Sequence, residues 1–474
     1  MNGTVALVAL AALNALNAPP GGAALPPGAP EILSAALEGR SYGVVAELTD
    51  TVGGRLAGSP GAAAAVQWAA GWLRAAGFEV RLEPVNVRAW VRGEERAEVL
   101  ASDRWRAHAL AVTALGHSPP TPPGGVRAEV VEVGSLEELR SLGDRVRGKA
   151  VLFQHDMKDA SDYGRLARLR MAGPAEAARL GASVALVRSL STASLRLPHT
   201  GMTVFPDGGP AVPAAAVAAE DAELLHRLLA RGPVHVKLVL GCGPADPPEV
   251  ASANVVAEWR GRERPDEVVL VGAHLDSWDL GTGATDDGAG VAMVLDAARV
   301  LRARGQAPRR TLRVVLFMDE ESGGVGGHSY HAAHRAEAAR HVAALEADSG
   351  AGRPTGVRVS AGPGAVETLG AWAAPLAAVH AESATAGGGG ADTAPWAAEG
   401  VPIVSIAQDT SRYFDWHHSA ADTLDKVNRG ELAQATAALA WMTWVLADAP
   451  ETLPSGGAAA DKAQAPGGAR RSPP

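Results

Sequence analysis

Five short stretches of this sequence bring histidines and carboxylates close enough together to do chemistry. His274-Leu275-Asp276 sets an imidazole two residues from a carboxylate, a spacing at which one side chain can take a metal ion while the other orients it. Asp286-Asp287-Gly288-Ala289-Gly290 places two acids on a glycine-rich turn. Adjacent carboxylates repel, and a cation offsets that repulsion; a polar helix cap accounts for the same residues. Glu320-Glu321 follows a β-branched run and precedes Ser322-Gly323-Gly324-Val325-Gly326-Gly327. One glutamate could bind metal while the other carries a proton, as general-base hydrolysis requires; the blander reading is a solvated charge pair. Asp348, in Glu346-Ala347-Asp348-Ser349-Gly350, and the pair His417-His418 complete the set. Taken singly, each reads as a loop polar residue. Together they form a donor set of oxygen and imidazole without thiols, which suits a pair of hard or borderline cations such as zinc.

The elements that must position these residues are legible as hydrophobic pattern. Val268–Val271 is a short apolar run ending just before His274, and Thr311–Met318 reads as a strand leading to Glu320. Val342–Leu345 precedes Asp348, Val401–Ile406 precedes the histidine pair, and Val291–Ala303 has helical spacing. Strands alternating with helices predict an α/β fold with a mixed, largely parallel sheet flanked by helices. The polar residues fall just past strand C-terminal ends, the edge where such sheets build their sites. Upstream, Ala62–Ala76 predicts a helix and Phe78–Val87 a strand.

A Pro/Gly/Ser-rich stretch at Gly116–Gly125 marks a domain boundary. We read residues 1–24 as a leader, 25–120 and 247–453 as two parts of a catalytic domain, 121–246 as an inserted unit, and 454–474 as a disordered tail. The insert alternates short strands with helical stretches, including Pro174–Leu180, and carries no catalytic cluster; His155, His199 and His226 are scattered through it. The leader has an apolar run at 5–13, followed by small residues and Pro19-Pro20, and reads as a secretory signal although no Lys or Arg precedes the run. This predicts a secreted or periplasmic protein with no membrane span in the mature chain.

Composition narrows the chemistry further. Among 474 residues, 47% are hydrophobic and 20% charged, enough for sizeable cores and against a wholly disordered chain. A net charge of −9 argues against nucleic acid as a partner. Cys242 is the single cysteine, so neither an intramolecular disulfide nor a thiolate metal cluster can form.

The order His274, Asp286-Asp287-Gly288, Glu320-Glu321-Ser322-Gly323-Gly324, Asp348, His417-His418-Ser419 resembles the M28 family of co-catalytic zinc exopeptidases, over residues of about 30 to 450. Within 121–246, Gly148-Lys149-Ala150-Val151-Leu152 and Val212-Pro213-Ala214-Ala215 resemble the strand edges of that family's protease-associated domain. The resemblance implies two Zn²⁺ ions bridged by Asp286, with His274 and Asp348 on one and Glu321 and His418 on the other. It makes Glu320 the general base for a metal-bridged water and Asp276 the partner that orients His274. His418 is preferred to His417 because it stands four residues before Asp422 of an Asp-Thr pair. His417 then occupies a position where many relatives carry an oxyanion-steadying tyrosine, and Asp392, in Gly390-Ala391-Asp392-Thr393, is a further candidate in a substrate-facing loop. The implied substrate is a dipeptide or short peptide. Carboxypeptidase or dipeptidase action is favoured over aminopeptidase action or an inactive peptidase-like binding domain, and a homodimer is implied.

Overall fold

The computed structural model describes residues 25–244 and 247–456. The leader reading at 1–24 and most of the tail reading lie outside the described residues. Two eight-stranded sheets organise what is described. Strand β1 (Glu79–Arg88) opens the first sheet. The chain then builds the whole second sheet from β2 (Glu95–Val99), β3 (His108–Leu110), β4 (Val112–Ala114), β5 (Val126–Val133), β6 (Ala150–Phe153), β7 (Val184–Arg188), β8 (Ala214–Val217) and β9 (His235–Leu240). It returns to the first sheet for β10 (Glu249–Trp259), β11 (Arg264–His274), β12 (Arg310–Phe317), β13 (His341–Glu346), β14 (Pro354–Ser360), β15 (Ala384–Ala386) and β16 (Ile403–Gln408).

The first sheet runs β1-β10-β12-β11-β13-β16-β14-β15. Its four central strands, β12, β11, β13 and β16, are mutually parallel, and antiparallel strands flank them. Central parallel strands are covered on both faces, which is why Val268–Val271 and Val314–Phe317 are continuous apolar runs without alternation. Helices Pro60–Ala75, Ala289–Ala303 and Arg429–Asp448 pack into this core through Val66, Leu73, Val291, Leu295, Leu439 and Trp441. Parallel pairing also puts the C-terminal ends of all four central strands on one edge.

The second sheet runs β3-β2-β9-β5-β6-β7-β8-β4, with β5 to β8 parallel. It therefore takes β2, β3 and β4 from residues that the sequence reading assigned to the first catalytic segment. Gly116–Gly125 connects β4 to β5 within this unit; Ser118 is buried at its start, and only the Pro-rich part from Pro120 to Gly124 comes to the surface. Helix Tyr163–Arg179 also departs from expectation, because it starts eleven residues before Pro174 and runs through it. Its buried face, Leu166, Leu169, Arg170, Gly173 and Ala177, keeps helical spacing across the proline. A Cβ on Gly173 would stand 2.8 Å from the Phe153 ring, so burial against β6 outweighs the one main-chain hydrogen bond that proline removes.

Candidate active site

His274 is the last residue of β11, and Glu320 and Glu321 follow β12 by three and four positions. Asp348 follows β13 by two, and His417 and His418 lie in the connection after β16. Asp286 and Asp287, joined by a cis peptide, form the turn into helix Ala289–Ala303. These residues converge on Asp286. Its Oδ1 stands 3.2 Å from His274 Nε2, and its Oδ2 stands 3.2 Å from the Nε2 atoms of both His417 and His418. His418 Nε2 is also 2.9 Å from Glu321 Oε2, and His274 Nε2 is 3.8 Å from Asp348 Oδ1. The His417 and His418 rings stack with centroids 3.6 Å apart.

Main-chain hydrogen bonds hold this cluster open. Asp276 Oδ1 accepts from the N–H groups of Asp319 at 2.8 Å and Glu320 at 3.1 Å, and Oδ2 accepts from Glu321 at 3.3 Å. Its carboxylate is spent on the neighbouring loop, while His274 Nδ1 lies 3.2 Å from the Asp276 carbonyl oxygen. Asp422 accepts from Thr285 N–H and Oγ1, both at 2.7 Å, and from Asp286 N–H at 3.1 Å. Asp287 accepts from His274 N–H and from Gly290 N–H. Gly290 is required there, since a Cβ would stand 2.0 Å from the Ala347 carbonyl oxygen. Glu346 accepts from Asp392 and Thr393 N–H and from Thr393 Oγ1, and Asp392 Oδ1 accepts from Gly327 N–H at 3.1 Å. Arg55, fully buried, donates to the carbonyls of Leu275, Thr282 and Gly283 and so straps the chain after His274 to the chain before Asp286.

The electrostatics are those of an acid cluster short of positive charge. Burial pushes Glu320 well above the usual glutamate range, and Asp348, Glu321 and Asp392 push the same way. Burial, Asp286 and Glu346 raise Asp348 to about 7. Burial with Glu346 carries Asp392 well up. Asp286 goes down: burial opposes its charge, but His274 and His418 overcome that. Burial also opposes charge on His274, yet Asp276 and Asp286 hold it well above its usual value.

The residues fit divalent cations. Three sets of donor atoms each lie within 4.8 Å of one another: His274, Asp286 and Glu321; His274, Asp287 and Asp348; and Asp286, His417 and His418. Among the described residues, the buried atoms Asp286 Oδ2, Glu321 Oε1 and Asp392 Oδ2 have no hydrogen-bond donor. Buried carboxylate oxygens without donors, facing imidazole nitrogens, are what a cation would satisfy.

A cavity of about 380 Å³ opens onto Asp286, Glu320, Glu321, Asp348, His417 and His418. The second sheet's unit supplies Tyr163, Arg170, Met171 and Met202 to its wall. The same unit grips a cluster histidine: Thr200 N–H donates to the His418 carbonyl at 2.8 Å, and His418 Nδ1 lies 3.4 Å from the Thr200 carbonyl. Arg170 is buried; it donates to the Thr200 carbonyl at 3.2 Å, and its Nε has no acceptor among the described residues.

Residues 254–443 match the model of peptidase family M28. Carboxypeptidase Q of Homo sapiens is 37% identical over 418 residues, covering 88% of this chain and 87% of that one. The chain belongs to peptidase family M28. It is therefore a hydrolase of the metallo-exopeptidase kind. Carboxypeptidase Q of Bos taurus matches to the same extent. The crystal structure of a peptidase M28 precursor from Shewanella amazonensis superimposes with a TM-score of 0.84 at 39% identity, covering 90% of this chain and 97% of that one. A zinc aminopeptidase from Bacillus subtilis shares the fold, with a TM-score of 0.62 at 20% identity, covering 86% and 95%.

Several M28 site residues escape a reading by motif. Arg170 and Thr200 lie in the unit that shows no catalytic cluster in sequence. Asp422 served only to choose between the two histidines, yet it fixes the turn at Asp286. Gly39-Arg40-Ser41-Tyr42-Gly43 has the spacing of a serine nucleophile elbow. Ser41 is fully buried at the start of helix Ser41–Thr51, with another helix before it rather than a strand, so it presents no nucleophile.

Proposed function

We propose that this M28 peptidase is a co-catalytic dizinc exopeptidase that removes the carboxy-terminal residue of dipeptides or short peptides. Asp286 with His274 and Asp348 would hold one cation, and Asp286 with Glu321 and His418 would hold the other. When bound, such cations would acidify a water and polarise the scissile carbonyl. Glu320 lines the cavity, touches none of the three donor sets, and takes the water proton for delivery to the leaving amine. Asp276 fixes the backbone beneath Glu320, while Asp392 lies buried behind the cavity wall, accepting from Gly327 N–H and donating through its own N–H to Glu346. His417 lies close enough to Asp286 to steady developing charge beside His418.

Arg170 supports the direction of cleavage. Among the described residues Arg170 has no carboxylate partner, and it lines the wall of the cavity, where a guanidinium attracts one. A peptide's terminal carboxylate supplies that charge. We assign the second unit, which contains the 121–246 segment, as a protease-associated insert that completes the site. The peptide is the partner; export from the cytoplasm and homodimerisation belong to the same reading. Among the described residues, no helix is long and apolar enough to cross a membrane.

A panel of free, N-acetylated and C-amidated dipeptides tests this reading. Hydrolysis should survive N-acetylation and be lost on C-amidation, and Arg170→Met should raise KM for free-carboxylate substrates at least tenfold. Hydrolysis that requires a free amino terminus instead assigns the aminopeptidase reading.

A further inference from the structure

A second cavity, of about 820 Å³, opens beside the catalytic one, and Met202 lines both. Asp319 and Ser322, which bracket Glu320 and Glu321, line it on one side. Asn86 and Arg88 of β1, together with His117 and Phe205 of the second unit, line it elsewhere. The catalytic cavity of about 380 Å³ is near the small end of the roughly 300–1,000 Å³ range of ligand pockets, a volume suited to the residues flanking one bond. The larger space adjoins it at Met202.

Its lining suits a peptide. His117 Nε2 is buried and unpartnered among the described residues. Burial foremost, with Arg88 nearby, brings its pKa down to about 4, so a neutral imidazole lines the cavity. Val204 is 45% exposed there, an apolar side chain left without cover. Arg88 has only a 3.6 Å contact with Asp207, which is itself almost fully exposed. A neutral imidazole, apolar surface and one weakly engaged cation match a stretch of extended chain.

We propose that this cavity is a subsite for residues on the amino side of the scissile bond, so that the enzyme takes peptides of three or more residues as well as dipeptides. This rests on the carboxypeptidase reading above, in which Arg170 marks the end of the substrate and the chain must leave by the other opening.

The test is a series of N-acetylated peptides, two to five residues long, with one common carboxy-terminal dipeptide. Substitution Asn86→Trp fills the cavity from an exposed strand position, and Val204→Glu provides an independent change in the lining that the second unit supplies. In wild type, kcat/KM should rise roughly tenfold or more between two and four residues. In either variant that rise should vanish while the acetyl-dipeptide value stays within about twofold. Release of the carboxy-terminal residue with a flat length series overturns the subsite alone. A rise that persists in both variants also overturns it. Release of the amino-terminal residue, read by mass spectrometry of the products, overturns the direction of cleavage and the subsite together.

Discussion

Asp276 holds Glu320 by its backbone. One carboxylate oxygen, at the foot of the His274 strand, accepts the Glu320 N–H at 3.1 Å and the Asp319 N–H at 2.8 Å, while the other reaches Glu321. Two loops that follow different strands are locked at one angle by a buried acid. Asp276→Asn keeps the shape but replaces one acceptor with a donor facing N–H groups. We expect kcat/KM to fall about 10–100-fold, with weakened metal retention, as removal of such supporting partners usually does. Steady-state kinetics and metal content of the dialysed variant measure both.

Glu320→Gln separates proton transfer from metal binding. The side chain belongs to none of the three donor sets. Metal content should stay at the wild-type level while kcat drops about 10²–10⁴-fold, the usual worth of a positioned base. Unchanged hydrolysis of every active peptide would remove Glu320 from its role.

Metal binding should release protons. Asp348 sits at about 7 and Glu320 is held well above the carboxylate range because burial and neighbouring acids oppose their charge. A cation removes that opposition, so its affinity must rise with pH through the neutral range. Calorimetry of zinc binding to chelator-stripped protein at pH 6.5, in buffers of different ionisation enthalpy, reads the protons directly. Two equivalents of metal with net proton release are expected, together with loss of activity on stripping. A single equivalent would sink the shared role of Asp286.

Acid should loosen the fold at a place far from the site. His341, at the start of β13, is buried, stacks on Trp396 at 4.2 Å and leaves Nε2 unpartnered among the described residues. Burial brings it from 6.5 to about 4. Between those values the unfolded chain binds a proton that the folded chain refuses, so stability falls as pH drops from 6.5 toward 4. The effect has an upper bound of about 3 kcal/mol at 1.36 kcal/mol per unit. His341→Phe keeps the stack and cannot titrate, so its urea midpoint should fall less steeply over that range than wild type's.

What the sequence made legible follows from how far apart the cause and effect lie along the chain. His274, Glu321 and Asp348 each sit just beyond an apolar run, so a local pattern locates them on the common edge of a parallel sheet. Asp422 acts on Asp286 across 136 residues and Glu346 on Thr393 across 47; neither link leaves a trace in local spacing. Helix Tyr163–Arg179 was read short because proline is a start signal, while the burial that carries the helix through it depends on Phe153 of a different element. Residues 95–114, within the segment read as the first catalytic part, join the second sheet as β2 to β4, and strands this short show no partner preference in their own residues. Arg170 was invisible for the same reason: an isolated arginine on a helix becomes meaningful only once the helix is laid over the cavity.

The hydrogen bond from Thr200 to the carbonyl of His418 has a pharmacological consequence. Reagents that chelate zinc act on many unrelated enzymes, because the ion looks alike in all of them. A small molecule that pushed itself between these two residues would draw the His418 imidazole away from Asp286 and Glu321 without contacting either carboxylate. Its selectivity would come from a seam between two sheets, whose shape is peculiar to this architecture.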